Sequence, residues 1–265
     1  MSLGIVSRSF HRGLPHLATT IDGVPVLLEP GNKWYVDGDL TGGNGSSWEN
    51  AFSSIQTAVT AAAAGDTIYV KARAMATGAT DPVNYAETII IPADKDRLRI
   101  VGVSNGPTQG NAPQIKKGSG AVALLTIRSP GCYIAGLGFN GGSSTGGGIL
   151  LDSDGSTKDA FGAVIENCHF KNCVVTANDG RTGGAIYWPS AGGSWQVLIR
   201  GNRFYKNEAD IVVVGTGGGV IQDVVIKDNI FSGPIASVDV NIYVGGSGVS
   251  GLIINNNVFT ALPGL

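Results

Sequence analysis

The sequence predicts an all-β fold, a right-handed parallel β-helix in which short strands stack into a solenoid. Three observations lead there: an imperfect repeat of isoleucine and phenylalanine, an excess of glycine, and a low content of charge. Of 265 residues, 41 are glycine and only 14% are charged, while 43% are hydrophobic. An ordinary globular domain carries about 25% charged residues. The glycines lie between runs of Ile, Val and Phe without collagen periodicity, which suits many tight turns joining many short strands.

The repeat carries most of the weight. Residues 132–139, 163–170, 197–204, 224–231 and 252–259 each end in Phe and hold Ile five positions earlier: Ile134, Ile165, Ile199, Ile226 and Ile254. The phenylalanines are spaced by 31, 34, 27 and 28 residues. Such a period signals a repeat architecture whose units bury their apolar faces on one another. The blocks are rich in β-branched residues and lack the three-and-four spacing of a helix, so they read as strand. Alternation along a strand puts the Ile and the residue two before it on one face. Ala135, Glu166, Arg200, Lys227 and Asn255 are then assigned to the outer face.

Asn202, Asn229 and Asn257 each stand two before a Phe. Their amides, one coil apart at ~4.8 Å, predict an asparagine ladder at a corner, and Asn also tolerates left-handed backbone. Cys168 and Leu137 take this position in earlier coils. A second strand is expected after each Phe, at residues 148–151, 185–188, 210–214 and 241–244.

The front of the chain departs from this pattern. Phe52, Ile55, Val59 and Ala62 share a helical face within residues 50–64, with Gly65 as the stop. A helix there would cap the first coil, hiding its core and its open edge. The division is therefore an arm with a possible hairpin in residues 1–31 and a solenoid in 32–265. Pro25 limits the hairpin around Asp22–Gly23 to an edge. Arg8, His11, Arg12 and His16 precede the first acidic residue, Asp22, so Arg8 and Arg12 mark the arm as a candidate attachment segment.

The run Trp34–Gly38 (WYVDG), the segment Gly42–Trp48 (GGNGSSW), the Ala-rich helix and Gly65–Val70 (GDTIYV) together resemble the N-terminal part of pectate-lyase-like β-helix proteins. The resemblance extends over about residues 33–260 and concerns fold. That superfamily holds pectin-degrading enzymes, other polysaccharide lyases and phage tailspikes, so it implies no single activity.

A net charge of −2 excludes bulk attraction to nucleic acid or an anionic membrane. No apolar run approaches the ~20 residues that span a bilayer, and the first residues lack the pattern of a secretory signal. Cys132, Cys168 and Cys173 have neither disulfide-framework nor metal spacing and read as buried thiols. The signatures of polygalacturonases and pectate lyases are absent. Asp152-Ser-Asp154-Gly155 opens like a calcium loop, but its twelfth position is Ala163 in place of a bidentate Glu. No metal and no cofactor are expected. His169, next to the inward Phe170, is expected outside in solvent.

Candidate carboxylates for an enzyme are Asp179, beside Arg181, and Glu208 with Asp210; Arg200, Arg203 and Lys206 form a charged strip that reads first as ordinary solvated surface and alternatively as a holder for an acidic sugar. Trp188, Trp195 and Tyr205 are candidate sugar platforms, with Tyr187 and Tyr243 among the other aromatics outside the repeat. Only six residues follow Phe259, too few for a second helical cap, and an uncovered end invites a partner. The leading expectation is a non-enzymatic structural virion protein, a phage capsid decoration or tail-spike or fibre component. It would be a homotrimer on the virion surface, assembled in the host cytoplasm, with host-surface glycan as a candidate contact. The alternatives are a polysaccharide lyase or glycoside hydrolase working in a groove, or a secreted or bacterial-surface protein.

Overall fold

The structure, a computed structural model, describes residues 31–75, 78–79, 81–104, 110–116, 123–142, 147–153, 155, 159–174, 183–188, 194–215, 221–233, 240–246 and 248–260, together with the backbone of Phe10–His11, Leu14–Pro15, Ala18–Ile21 and Val24–Leu27. It is a parallel β-solenoid of about six turns whose coils contribute to three long sheets.

The first, the isoleucine sheet, has eight parallel strands: Lys33–Val36, Thr67–Lys71, Arg99–Val103, Tyr133–Ala135, Val164–Glu166, Leu198–Arg200, Val225–Lys227 and Ile253–Asn255. The second, the phenylalanine sheet, has six: Gln114–Lys116, Gly138–Asn140, His169–Lys171, Arg203–Tyr205, Ile230–Ser232 and Val258–Thr260. The third also has six: Ile89–Ile91, Ala123–Ile127, Gly147–Leu151, Ile186–Tyr187, Ala209–Gly215 and Val240–Gly246.

Each eight-residue block of the repeat is thus two strands, not one. The break falls at Gly136, Asn167, Gly201, Asp228 and Asn256, all with φ between 52° and 68°. Left-handed backbone is tolerated by Gly, Asn and Asp and turns the chain from one sheet into the next. The ladder asparagines follow these residues and are not themselves left-handed. At Gly201 the demand is double. Its φ is +66°, and a Cβ there would meet Asn167 Oδ1 at 2.7 Å.

Register makes like stack on like. Ile134, Ile165, Ile199, Ile226 and Ile254 are successive parallel partners. Phe139, Phe170, Phe204, Phe231 and Phe259 are too. Their rings stack at centroid spacings of 4.9, 5.1, 4.8 and 4.9 Å and within 10° of parallel. Free aromatic pairs prefer offset or edge-on contact. Here the strand spacing of ~4.8 Å sets the distance. The four inner isoleucines are fully buried, as are Phe139, Phe170 and Phe231, with Phe204 at 1% exposure.

The asparagines bind the corner. Asn202 Nδ2 donates to Ile165 O and to Asn229 Oδ1, and Asn229 Nδ2 donates to Ile199 O and to Asn257 Oδ1. Asn257 Nδ2 donates in turn to Ile226 O. Each Oδ1 also accepts the backbone N–H of the residue one coil earlier, from Cys168 to Asn202, from Asn202 to Asn229 and from Asn229 to Asn257. Cys168 keeps a weaker version of the pattern, its thiol 3.8 Å from Ile134 O. A second corner repeats the device: Asn207 Oδ1 accepts Cys173 N–H, and its Nδ2 donates to Phe170 O.

The helix spans Ile55–Ala61, shorter than the 50–64 expected from its apolar face. Its start is delayed because Phe52 is bridged to Val36. Ser54 then caps it by accepting Thr57 N–H, and Glu87 accepts the N–H groups of Ile55 and Gln56. It ends early because the Asp66 carboxylate takes the Ala63 N–H. Ile55, Ala58 and Val59 are buried in the core, and the helix packs on the first strands of the isoleucine and third sheets.

In the N-terminal arm, Ala18–Ile21 pairs antiparallel with Val24–Leu27, and Phe10–His11 with Leu14–Pro15. Arg8 and Arg12 lie outside the described residues. All three cysteines are free and buried, and burial pushes each thiol up to about 12. None is a reactive thiolate at neutral pH.

Candidate functional site on the phenylalanine sheet

Outward-facing residues of a solenoid form rows across its coils, and two rows bring chemistry together. On the isoleucine sheet, Glu166 sits beneath its neighbours at 8% exposure. Tyr133 Oη and Arg200 Nε both donate to its carboxylate, and the Arg99 guanidinium lies 5.1 Å over the Tyr133 ring. Burial, then the bond to Glu166, raises the Tyr133 pKa. This network satisfies itself: the acid holds two donors, and the tyrosine is kept protonated.

The outer face of the phenylalanine sheet is different. Gln114, Asn140, His169 and Lys171 all point away from the core there, yet each is buried. Lys171 Nζ binds both oxygens of Asp81, a residue 90 positions earlier in the chain. Gln114 Nε2 reaches Asp81 Oδ1 at 3.4 Å, Asn140 Nδ2 donates to Gln114 Oε1, and Asn172 Nδ2 to Asn140 Oδ1. Next in register come Arg203 beside His169 and Tyr205 beside Lys171. Arg203 is exposed, and Lys206 Nζ lies 5.4 Å from the Tyr205 ring centre.

His169 does face outward, but it is only 6% exposed, and its Nδ1 has no hydrogen-bond partner among the described residues. Its pKa is pushed down from an ordinary 6.5 to about 4, mainly by burial; Lys171 and Arg203 add repulsion, and Asp81 opposes them. An unfolded histidine takes a proton as pH falls through 6.5, while the folded one refuses it until about 4. The stabilising difference is complete above 6.5 and is lost on the way down to 4. Between pH 7.5 and 4 this costs about 3 kcal/mol. Chemical denaturation across that range should show a steeper loss for the native chain than for His169→Gln. Equal slopes would contradict the burial of a neutral imidazole.

The other sequence candidates are dispersed. Asp179 and Arg181 lie outside the described residues. Asp210 is buried, and its two oxygens accept Asn207 Nδ2 at 2.8 Å and Asn241 Nδ2 at 2.7 Å, so it acts as a brace between coils. Glu208 is half-buried just before the same strand. Trp188 is 1% exposed in the core and offers no face to a sugar. Trp195 is half-buried and stacks on Phe161 at 4.9 Å and 4°, which occupies one of its faces. Arg200 is turned to the isoleucine sheet, away from Arg203 and Lys206. Asp152 accepts Arg128 Nε at 2.8 Å. Among the described residues no group of three metal-ligating side chains occurs, and no helix is long and apolar enough to cross a membrane.

The phenylalanine-sheet cluster was hidden from sequence reasoning. Alternation from Phe170 puts His169 and Lys171 outside, but nothing local to residue 81 signals that Asp81 crosses to them.

The class this architecture defines is the parallel β-solenoid. No family model and no curated protein matches the chain. Among solved structures it is similar to ORF18 of Geobacillus virus E2, at 14% identity and a TM-score of 0.49 over 80% of this chain and 39% of that one. It is also similar to an alginate lyase from Paenibacillus sp. str. FPU-7, at 16% identity and a TM-score of 0.47 over 77% and 72% of the two chains. A third similarity is to a GH136 lacto-N-biosidase from Eubacterium ramulus, at 10% identity and a TM-score of 0.26 over 74% and 45%. These are likenesses of chain path, and no residue role is carried over from them.

Proposed function

We propose that the chain is a non-enzymatic structural protein of a virus particle, a tail-spike, fibre or capsid-decoration component that works as a homotrimer on the virion surface. The observation that supports this reading is the last described coil. Ile254 and Phe259, which continue the buried core rows, are 44% and 55% exposed. Ile253 and Val258, their outward neighbours, are 51% and 52% exposed, and Val244 on the third sheet is 45% exposed. Among the described residues this coil presents apolar side chains both along the axis and to the sides, the kind of surface that suits contact with another polypeptide. Three parallel solenoids packed side by side at this coil would cover the outward Ile253 and Val258. The particle setting comes from the resemblance of residues 33–260 to a superfamily that includes phage tailspikes, and residues 1–31 are the proposed attachment segment. Asp210 is held by two amides as a brace between coils.

Light scattering on the whole chain, paired with a screen against acidic and neutral polysaccharides, tests the reading. An inert trimer is expected. A stable monomer that cleaves a glycan would overturn it in favour of a polysaccharide lyase or hydrolase. Ile253→Asp with Val258→Asp should give folded monomers, because both side chains point outward and are already half in water. A trimer that survives the pair would remove the terminal coil from the interface.

A further inference from the structure

The geometry points to a site of self-modification: an amide bond between Lys171 Nζ and Asp81 Cγ that staples the segment around residue 81 to the outer face of the phenylalanine sheet. This bond does not depend on the virion role proposed above and rests on different residues.

The course of the chain gives such a bond its consequence. Tyr85 closes the front edge of the phenylalanine sheet: its N–H donates to Gln114 O, and Lys116 N–H donates to its carbonyl. Four residues earlier, Asp81 meets Gln114 on that edge strand and Lys171 on the strand two coils further in. It thus straps strands ~9.6 Å apart. A covalent tie here would close a ring over 90 positions of chain and restrict the unfolded state, as a disulfide of long span does. It would also lock the edge closure made by Tyr85.

Four observations favour condensation over a plain ion pair. First, Lys171 Nζ lies 2.5 Å from each Asp81 oxygen, which brings it into contact with the carbon between them. Second, the pair is withdrawn from water, the Lys171 side chain being 5% exposed and that of Asp81 26%. Two neutral groups are cheaper to bury than two ions, and the contact lets the ammonium proton pass to the carboxylate. Lys71 comes equally close to Asp37, at 2.5 Å, but its side chain is 52% exposed, and the hydrogen bond to Asp37 raises its pKa and keeps it an ammonium. Third, His169, on the same strand as Lys171, is a neutral base whose buried Nδ1 has no partner among the described residues, and it feels the charges of both Lys171 and Asp81. Fourth, residue 82 is proline. It has no N–H, so the following backbone nitrogen cannot capture the Asp81 carbonyl as a succinimide.

The step balances without an outside reagent. The amine lone pair attacks Cγ and forms the C–N bond, while the C=O pair moves onto Oδ1, which Gln114 Nε2 faces at 3.4 Å. His169 takes a proton from the nitrogen and returns it to the hydroxyl on Cγ. The C–O bond breaks, the carbonyl re-forms and one water leaves. Nothing is oxidised or reduced.

The test is intact-mass spectrometry of the full chain under denaturing conditions. The native sequence should fall short of its calculated mass by one water. A tryptic digest should hold residues 74–95 joined to residues 159–181, with Lys171 uncut. Lys171→Arg keeps the ion pair but has no amine to condense, so it should show its full mass and a native circular dichroism spectrum. In a time course after cell-free synthesis, His169→Gln should lose water about a hundredfold more slowly, the scale of a missing general base. A native chain at full mass would overturn the proposal. So would a water loss that persists in Lys171→Arg, which marks a succinimide elsewhere, or a digest in which Lys71 is the linked lysine. An unchanged rate in His169→Gln would overturn the part given to the imidazole.

Discussion

Phe204→Ala should destabilise the protein by about 3–5 kcal/mol, the range for removing a buried aromatic from a packed core. Phe204 is sandwiched between Phe170 at 5.1 Å and Phe231 at 4.8 Å, so truncation leaves a void with a ring on either side. Neither neighbour can settle into it, because each is fixed by a strand whose register holds the coil spacing. Phe259→Ala deletes the same side chain from the same row, yet its ring is 55% exposed and has a partner on one side only. It should cost about 1 kcal/mol in the isolated chain, scaled from the smaller apolar area it buries. Denaturant titration of the two variants gives the contrast directly. Equal losses would mean that the row is not what holds the coils together.

Asn229→Ala is the second large effect. Asn229 is fully buried, and its amide makes four bonds. Nδ2 serves Ile199 O at 3.1 Å and Asn257 Oδ1 at 3.0 Å, while Oδ1 accepts Asn202 N–H at 2.9 Å and Asn202 Nδ2 at 3.0 Å. Alanine leaves a backbone donor and a backbone carbonyl orphaned away from water, each at about 1–3 kcal/mol. A loss of about 2–5 kcal/mol follows, read as a lower denaturation midpoint. Sugar binding per folded molecule should not change, since the ladder lies at a buried corner. Selective loss of binding with unaltered melting would assign Asn229 to recognition and contradict the structural role.

What the sequence made legible was whatever repeats. Five Ile–Phe pairs and three asparagines announce coils because every coil meets the same packing problem and solves it with the same residues. The corner between the first two sheets was harder to read. Its left-handed residue is Gly, Asn or Asp in different coils, and only the ladder asparagine behind it stands out as a column. The second corner was missed for the same reason: Cys173 and Asn207 share a role but not a chemistry. The helix was recognisable from its apolar face, but its ends are set by Glu87 and Asp66, distant in sequence from the residues they bind.

The candidate site was the least legible part. Arg203, Tyr205 and Lys206 are visible as a charged and aromatic run, and proximity in sequence groups Arg200 with them. The turn at Gly201 sends Arg200 to one sheet and Arg203 to another, a separation that side-chain alternation alone does not reveal. His169 reads as a surface residue because it alternates with Phe170. Its burial belongs to an outer face shared with Lys171, Gln114 and Asn140, which Asp81, 90 residues earlier in the chain than Lys171, joins by binding that lysine.

Methyl-to-methyl nuclear Overhauser contacts in a sample protonated only at isoleucine δ1 positions report most directly on the stacking. The coil register predicts a chain of contacts linking Ile134 to Ile165, Ile165 to Ile199, Ile199 to Ile226 and Ile226 to Ile254, with none that skips a coil. A spectrum in which Ile199 and Ile226 fail to see each other, or in which Ile199 touches Ile254, would contradict it.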